Sequence, residues 1–327
     1  MHDIIIATAS GKEVRSMLYS EYDFEVGIEE NSFEVKVLRP EWQPVDVGSR
    51  IYIPGTEYGG LYRRMSTNTE EGTISVGGMT WRGMMQKKII SPPSGQDYAT
   101  DSGELNAIIK ARVEAALPGL FIGSSESTGV TVSWQYNRYC TLEEGLRDML
   151  ESVDYRLNIE YSQTDKAVVV SAVPIENYSD DVQFSADWQL NYYMRMQSDG
   201  VNHLILLGQG ELKDRVVRHL YLNKNGKIVT TQYYTGVNEV AEVYDYPGAE
   251  EDDLIQNGKE HFKEMVNNNL FEIKVDQAED IAIGDIVGGH DYLSGLTMSS
   301  PVTGKVVSWR DGFQNIEYQL SDAIELE

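Results

Sequence analysis

The chain has 327 residues, more than one hydrophobic core usually holds, so two or three domains are expected. Hydrophobic residues make up 41% and charged residues 24% of the sequence, a balance that excludes an intrinsically disordered chain. Acidic residues outnumber basic ones 52 to 27, and the formal charge of -25 repels phosphate backbones, which argues against specific nucleic-acid binding.

The cysteine content and the lack of long apolar segments limit the chemistry further. Cys140 is the only cysteine, which excludes intramolecular disulfides and clusters of thiolate-bound metal. The N-terminal apolar run is far shorter than a secretion signal requires, and no stretch approaches the ~18 apolar residues of a membrane span. We therefore expect a protein that is made in a cytoplasm and is stabilised by packing alone.

The first ninety residues predict a small β-domain. Apolar side chains alternate with polar ones over residues 22–28 and again over 33–37, which indicates an antiparallel hairpin around a Glu-Glu-Asn-Ser turn. Further strands separated by glycine-bearing turns are predicted over residues 50–53, 61–66 and 73–76. Their spacing predicts a first β-barrel-like or sandwich domain over residues 1–92.

A break at residues 91–95 ends this domain, because Pro92 and Pro93 remove two consecutive backbone donors. The period then becomes helical. Asp101 is expected to cap a helix, with Glu104 three residues later and an apolar stripe that runs as far as Pro118.

A second helix is predicted to begin after Thr141, which forms a capping box with Glu144. Alternation over residues 155–161 and an apolar run over 167–173 then predict an antiparallel hairpin. Residues 96–176 are therefore expected to form a small α+β domain of two helices and a hairpin.

Strands return after residue 180 and predict a second β-barrel-like domain over residues 180–327. This domain is expected to contain one helix, at about 252–268, whose first acidic residues suit the positive end of the helix dipole. Strands are predicted near Phe184, over residues 190–196 and 203–207, in a long hairpin of residues 215–222 and 227–234 around an Asn223-Lys224-Asn225-Gly226 turn, and from 271 to 320. The predicted fold class is mainly β with an α+β insert: two tube-like β-barrel or sandwich domains flank a small α+β domain.

Two segments share a turn-and-strand pattern, in which Gly48 and Gly284 each precede a strand. Residue identity between the segments is low, and chance explains the pattern about as well as duplication does. A true duplication would place two similar β-domains on either side of the α+β domain. The pattern continues downstream with Gly60, Ile74 and Val76 in the first segment, and with Gly295, Val306 and Val307 in the second.

Patterns of catalytic and metal-binding residues are missing from the sequence. The Gly208-Gln209-Gly210 segment follows an apolar strand, but Lys213 stands where a phosphate loop needs a third glycine, so a tight turn or bulge is predicted. We therefore predict no catalytic, cofactor-binding or metal site, and no enzyme. The histidines lie far apart without ligand spacing: His2, His203, His219, His261 and His290.

Two features leave other functions open. Carboxylate pairs for glycoside hydrolysis leave no local pattern, so the 52 acidic residues do not exclude them. The 20 tyrosines and 5 tryptophans suit a sugar-binding or protein-binding surface, although core packing is the more usual role of alternating strand tyrosines. The candidate tyrosines are Tyr192, Tyr193, Tyr233, Tyr234, Tyr244, Tyr246 and Tyr292.

The remaining distinctive motifs resemble the hub family of phage tails, which includes siphophage tail proteins and relatives in the baseplates of contractile tails and phage-tail-like bacteriocins. The resemblance follows nearly the whole chain in the order of its elements. The motifs are Asp23-Phe24-Glu25-Val26 with Phe33-Glu34-Val35, Gly77-Gly78 to Trp81-Arg82, Lys87 to Pro93, and Asn202 to Glu211 with Arg215.

This resemblance implies a structural subunit at the tail tip or baseplate of a virion or phage-like particle, synthesised in a bacterial host cytoplasm. In that family a trimer with two tube-like β-domains per subunit forms a pseudo-sixfold ring, which joins the hexameric tail tube to a threefold spike or tip. The implied partners are two further copies of the chain, the tail tube protein and a spike or tail-tip protein. The tape measure and other baseplate proteins are further candidates, and no cofactor is implied.

Two alternatives stay open at this point. A tail-associated cell-wall-degrading enzyme would need a fused domain, and the three predicted domains already use the whole chain. A carbohydrate-binding adhesin would need an exposed aromatic platform. Within a ring, the negative charge of the chain predicts an acidic channel along which DNA or other cargo slides without sticking.

Overall fold

The computed structural model describes residues 4–17, 20–179, 183–184, 191–197, 199–224, 226–265, 270–275, 281–310, 312–321 and 324–325. Strands make up 43% and helices 18%, which confirms the mainly β fold class. The chain forms two compact units, one of Met1–Tyr193, Phe271–Ser321 and Leu326–Glu327, and one of Met194–Leu270 and Asp322–Glu325. No helix among the described residues is long and apolar enough to cross a membrane.

The helices are α1 (Trp81–Gln86), α2 (Leu105–Ala116), α3 (Leu142–Glu151) and α4 (Glu251–Met265). The strands of the first half are β1 (Ile4–Ala7), β2 (Glu13–Met17), β3 (Glu21–Gly27), β4 (Ser32–Leu38), β5 (Arg50–Tyr52), β6 (Gly59–Leu61), β7 (Arg64–Asn68), β8 (Thr73–Met79), β9 (Thr100–Glu104), β10 (Phe121–Gly123), β11 (Thr131–Gln135), β12 (Tyr155–Ser162) and β13 (Ala167–Pro174). The strands of the second half are β14 (Gln183–Phe184), β15 (Asn191–Arg195), β16 (His203–Leu207), β17 (Val217–Leu222), β18 (Ile228–Val229), β19 (Ala241–Asp245), β20 (Leu270–Val275), β21 (Ile286–His290), β22 (Thr297–Arg310), β23 (Phe313–Leu320) and β24 (Ile324–Glu325).

A large antiparallel sheet in the first unit follows the strand order β20-β23-β22-β3-β4-β8-β7. Its centre is the pairing of β3 with β22, which sets Phe24 opposite Val307. The predicted hairpin of β3 and β4 is confirmed, and its inward rings Phe24 and Phe33 stack with centroids 5.5 Å apart. Strands from the two predicted β-domains therefore share one sheet.

The α+β segment packs α2 and α3 against the three-stranded sheet β10-β13-β12. The capping box of Thr141 and Glu144 and the hairpin of β12 and β13 are both confirmed. The predicted cap at Asp101 is wrong. Asp101 lies in β9 and accepts hydrogen bonds from Arg112 and Tyr136, while the Glu104 carboxylate caps α2 by accepting the amide of Ala107 at 2.9 Å.

The second unit is a four-stranded sheet, β18-β17-β16-β19, with α4 on one face. Alternation along β16 and β17 turns Leu204, Leu206 and Leu220 toward Leu254 and Phe262 of the helix, and these side chains are all buried. The predicted helix is confirmed over 251–265, and residues 266–269 lie outside the described residues.

The second arm of the predicted long hairpin is wrong over most of its length. Only Ile228–Val229 pairs with β17, and Asn225 of the predicted turn lies outside the described residues. The chain then leaves the sheet edge and returns as β19, parallel to β16. Asn202 holds the returning chain, because its side chain donates to the carbonyl of Asn238 and accepts the amide of Val240.

The pattern noticed around Gly48 and Gly284 corresponds to one backbone geometry present twice. Gly48 has a φ of +96° and Gly284 a φ of +98°, a region that favours glycine. The amide of Gly48 donates to the carbonyl of Tyr62 at 2.8 Å, and the amide of Gly284 donates to that of Val302 at 2.8 Å. In return, the amide of Tyr62 donates to the carbonyl of Ser49, and the amide of Val302 donates to that of Asp285, each at 2.8 Å.

The strands that follow these glycines also correspond. β5 and β21 each lead through six residues, 53–58 and 291–296, to an antiparallel return strand, β6 and the first half of β22. The return strand is then interrupted, after Leu61 in the first copy and by a bulge between Val302 and Gly304 in the second. Each chain continues into a hairpin, β7 with β8 and the rest of β22 with β23.

This correspondence corrects two predictions made from the sequence. The strand predicted over 61–66 is split, because Tyr62 still pairs with Ser49 beside β5 whereas Arg63 bonds Gly77 of β8. Gly60 lies within β6 whereas Gly295 lies in the loop before β22, so these two glycines are not equivalent. The boundaries 1–92, 96–176 and 180–327 stay a prediction.

Candidate functional site

The polar face of the large sheet is the surface formed by the outward side chains of β3, β4, β7, β8, β22 and β23. Alternation along β3 and β4 buries one set of side chains and leaves the other set on this face, while all residues of the edge strand β7 are exposed. The register places the outward residues in rows across the strands. The charged members are Glu21, Asp23, Glu25, Glu34, Glu317, Lys36, Arg64 and Arg310.

Like charges meet at the centre of the polar face. Asp23 and Glu34 are direct cross-strand neighbours, an arrangement that costs stability unless a cation lies nearby. Arg310 donates from Nη2 to Oδ2 of Asp23 at 2.6 Å and supplies that cation. Carboxylates outnumber basic groups on this face, so it stays acidic.

A groove of about 450 Å³ lies on the polar face beside these carboxylates. Glu25 lines it, and partial burial, followed by the charges of Glu30 and Asp23, raises the pKa of this carboxyl. The register of the predicted hairpin of β3 and β4 brings Asp23, Glu25 and Glu34 together, whereas the other walls of the groove come from β7, β8 and β22, whose pairing the sequence could not indicate. The groove has Ser32, Ser66 and Ser75 among its other lining residues.

A buried ionic network lies beneath the opposite face of this sheet. Arg82 of α1 donates to Glu143 at 3.0 Å and to Glu57 at 3.3 Å, and Lys305 of β22 binds Glu57 at 3.3 Å. Arg147 extends the network from α3, with its Nε 3.6 Å from Glu143. Each of the two carboxylates thus has two cationic partners, and the network has the character of a structural junction.

The four histidines that the structure describes do not converge on a metal centre. His203 binds Glu239 through Nδ1 at 2.6 Å and His219 through Nε2 at 2.8 Å, while His290 binds Thr297. His261 lies against the ring of Tyr244, and His2 lies outside the described residues. In the part of the chain that the structure describes, no group of three His, Cys, Asp or Glu residues is placed to hold a metal ion.

The Gly208-Gln209-Gly210 segment forms a turn. The amide of Gly208 donates to Val216 and the amide of Val216 donates to Gln209, so the chain reverses into β17. Gly210 has a φ of +98°, which this reversal requires. The amide of Gln209 bonds the carbonyl of Ala249, and is therefore not directed at a ligand.

The candidate tyrosines meet edge to face. Tyr233 and Tyr234 lie with their ring planes at 86°, and Tyr244 and Tyr246 at 63°. Tyr292 meets His290 at 82°. Tyr193, Tyr233, Tyr246 and Tyr292 are 51%, 55%, 42% and 66% exposed, so these tyrosines lie on the surface and not in the core. The edge-to-face pairs do not form the flat platform that a sugar ring stacks on, and the side chain of Tyr192 lies outside the described residues.

The single cysteine is buried and unpaired. Burial, followed by the nearby charges of Glu144 and Asp148, raises the pKa of the Cys140 thiol. A raised pKa keeps the thiol protonated and therefore poorly nucleophilic. Cys140 accordingly serves the core of the α+β segment, where Gly145 leaves room for its sulfur.

No family model and no curated protein matches the sequence. Solved structures do match in fold. The tail protein from Neisseria meningitidis MC58 aligns over 98% of this chain and 96% of its own length, with 13% identity and a TM-score of 0.52. The 43 kDa tail protein of prophage MuSo2 from Shewanella oneidensis aligns over 97% and 98%, with 12% identity and a TM-score of 0.55. The chain therefore has the fold of these tail proteins over nearly its whole length.

Proposed function

We propose that this chain is the structural hub of a phage or phage-like tail. Three copies form a ring at the distal end of the tail, between the hexameric tail tube and a threefold spike or tail tip. The observation that carries the proposal is the repeated unit, in which a left-handed glycine, a strand, a return strand, a break and a hairpin occur twice in the chain. The fold shared with two tail proteins supports it.

The repeat explains how one chain can contact partners of different symmetry. Two similar units per chain in a trimer give six similar positions around the axis, which match a hexameric tube. The α+β segment occurs once per chain and keeps the threefold character that a spike requires. A chain with a single β unit would offer one symmetry alone.

The large sheet offers the surfaces that such a ring needs. Among the described strands β7 pairs with β8 alone, and every one of its residues is exposed. An exposed edge strand invites pairing with another chain, so β7 suits a contact between neighbours in a ring. In this arrangement the acidic polar face lines the channel, where like charge keeps DNA or other cargo from adhering.

The ring is tested by the mass of the purified protein, alone and with tail tube protein. One chain has a mass of 36.8 kDa, so light scattering should give three times that value, and electron microscopy should show rings stacked on tube ends. A protein that stays monomeric at all concentrations and does not bind the tube would refute the proposal. Loss of turbidity in a peptidoglycan suspension would instead support the wall-degrading enzyme.

The acidic channel is tested separately by DNA binding to assembled rings. Wild-type rings should not retain duplex DNA at physiological salt, whereas rings with Asp23→Lys and Glu34→Lys should retain it in a salt-dependent manner. Glu251→Lys and Asp252→Lys, on α4 of the second unit, give a control with the same change of charge on residues that do not belong to the polar face. Equal retention by both variants would count against a polar face that lines the channel.

A further inference from the structure

Strand β2 is a free edge of the small sheet in the first unit. This sheet has the order β2-β1-β5-β6, and among the described strands β2 pairs with β1 alone. Val14 of β2 is 54% exposed. An edge strand offers its unpaired backbone N–H and C=O groups to another chain, so a further strand can pair with β2 on the side away from β1.

A pocket of about 270 Å³ lies beside this edge. Arg15, Ser16 and Met17 of β2 line it, and so do Val37 and residues 41–43. Pockets that enclose a whole small molecule usually hold at least ~300 Å³, so this one suits one or two side chains. A strand paired with β2 carries every second side chain on the same face of the sheet as Arg15, because successive side chains point to opposite faces.

Arg15 and Trp42 are held together within this pocket. The guanidinium carbon of Arg15 lies over the ring of Trp42, 5.2 Å from its centroid, and Nη2 of Arg15 donates to the carbonyl of Gln43 at 2.9 Å. Tyr62 supports the ring of Trp42 edge to face, with the centroids 6.3 Å apart. Arginine and tryptophan are among the residue types that contribute most of the binding energy in protein interfaces, and here their positions are fixed in advance.

Arg15 has no acidic partner among the described residues. Its Nε is buried without an acceptor, and burial lowers the pKa of Arg15 with no carboxylate to raise it. Glu41 also lines the pocket, but it is exposed and forms no ion pair in the described part of the chain. The other half-buried arginines of the first unit all bind carboxylates: Arg112, Arg147 and Arg156. In a chain of charge -25, the missing counter-ion sets Arg15 apart.

We propose that β2 is a docking edge for an extended segment of a partner protein, and that an acidic side chain of this segment enters the pocket at Trp42 and binds Arg15. Backbone pairing along β2 supplies affinity, and the pocket supplies specificity. A carboxylate gives Arg15 the counter-ion that it lacks, through a charge-assisted hydrogen bond. This contact goes beyond the proposed hub function and does not depend on the ring, because the edge and the pocket belong to one chain.

The first test selects binders of the purified protein from a library of random seven-residue peptides on beads. Peptides that bind wild type should carry Asp or Glu and should alternate apolar with polar residues, because strand pairing has a period of two. Selection with Arg15→Gln should lose the acidic preference. Arg138→Gln changes an exposed arginine outside the pocket and should keep it. Binders of wild type without an acidic preference, or the same preference in Arg15→Gln, would overturn the proposal.

The second test measures the affinity of one selected peptide and of its version with Gln in place of the acid. Wild type should bind the acidic peptide about tenfold more tightly, whereas Arg15→Gln should bind both equally. Ser16→Trp fills the pocket from an exposed position, should weaken both peptides, and serves if Arg15→Gln does not fold. Light scattering completes the test: a change of assembly mass in Arg15→Gln or Ser16→Trp would show that a second copy occupies the edge, and would overturn the proposal of a partner segment. A chain that never forms rings would overturn the hub and leave this contact intact.

Discussion

Arg82 donates a hydrogen bond to Glu143 at 3.0 Å, with 3% and 2% of the two side chains exposed. The residues are 61 positions apart, on α1 and α3, and Glu57 connects the pair to Lys305 of β22. Buried charges are costly unless each has its partner, so the network fixes how these three parts of the first unit meet.

Removing Arg82 should therefore be among the most damaging single changes. Arg82→Met leaves Glu143 and Glu57 buried with one cation fewer, and should lower the free energy of unfolding by about 3–5 kcal/mol. Urea denaturation measures this. Lys36→Met removes a surface ion pair with Glu71 and should not shift the urea midpoint measurably. Equal midpoints for the two variants would show that the buried network does not contribute to stability.

Glu57 should make the free energy of unfolding depend on pH in the acidic range. Burial raises the pKa of the Glu57 carboxyl, but the positive charges of Lys305 and Arg82 and their hydrogen bonds lower it by more. The pKa of Glu57 therefore lies below its ordinary value of 4.5. The unfolded chain then binds the proton more tightly than the folded chain. The stabilisation is present above about pH 4.5 and is lost as the pH falls through the lowered folded pKa.

This prediction is checked by measuring the urea midpoints of wild type and of Glu57→Gln at a series of pH values from above 4.5 downward. The raised pKa values of Asp148 and Glu151 have the opposite effect on stability, but they are present in both proteins and cancel in the difference. The midpoint of wild type should fall more steeply than that of Glu57→Gln. Parallel curves would contradict the assigned shift.

Local patterns in the sequence predicted the elements that local physics decides. The period of two in β3 and β4 and the capping box of Thr141 are complete within a few residues, so both were recognisable. The cap of α2 was placed at Asp101 because Glu104 follows it at the three-residue spacing of a capping box. Arg112 and Tyr136 bind Asp101 in β9, and no local pattern shows these partners.

Long-range pairing decided what the sequence could not show. The register that sets Phe24 opposite Val307 joins the two ends of the first unit, and it brings Arg310 to Asp23 on the polar face. The same strand, β22, carries Lys305 to Glu57 in the ionic network. Gly48 and Gly284 were recognised as a pair, yet their downstream partners were misaligned. A bulge at Val302 and a break at Tyr62 shift the two copies by different amounts, and bulges leave little trace in a sequence.

The equivalence of Gly48 and Gly284 can be tested by giving each a side chain. Both have a positive φ near +97°, where alanine costs about 1–2 kcal/mol, so both Gly48→Ala and Gly284→Ala should lower the melting temperature. Gly284→Ala should lower it more, because its Cβ would lie 2.9 Å from the Cβ of Arg156. Gly248→Ala, in open space, is the control. An unchanged melting temperature in Gly48→Ala would argue against a turn geometry shared by the two glycines.

The last prediction concerns two buried tyrosines that differ in their hydrogen bonds. The hydroxyl of Tyr22 has no partner among the described residues, and burial raises the pKa of Tyr22 to about 12, so it keeps its proton wherever folding is measured. Tyr22→Phe removes an unsatisfied polar group without changing shape and should hold or raise the free energy of unfolding, by up to about 1 kcal/mol. Tyr161 accepts a hydrogen bond from Arg50 at 3.0 Å, so Tyr161→Phe should lower it by about 1–3 kcal/mol. Urea denaturation of both variants checks the pair, and a loss at Tyr22 as large as that at Tyr161 would mean that the Tyr22 hydroxyl is bonded after all.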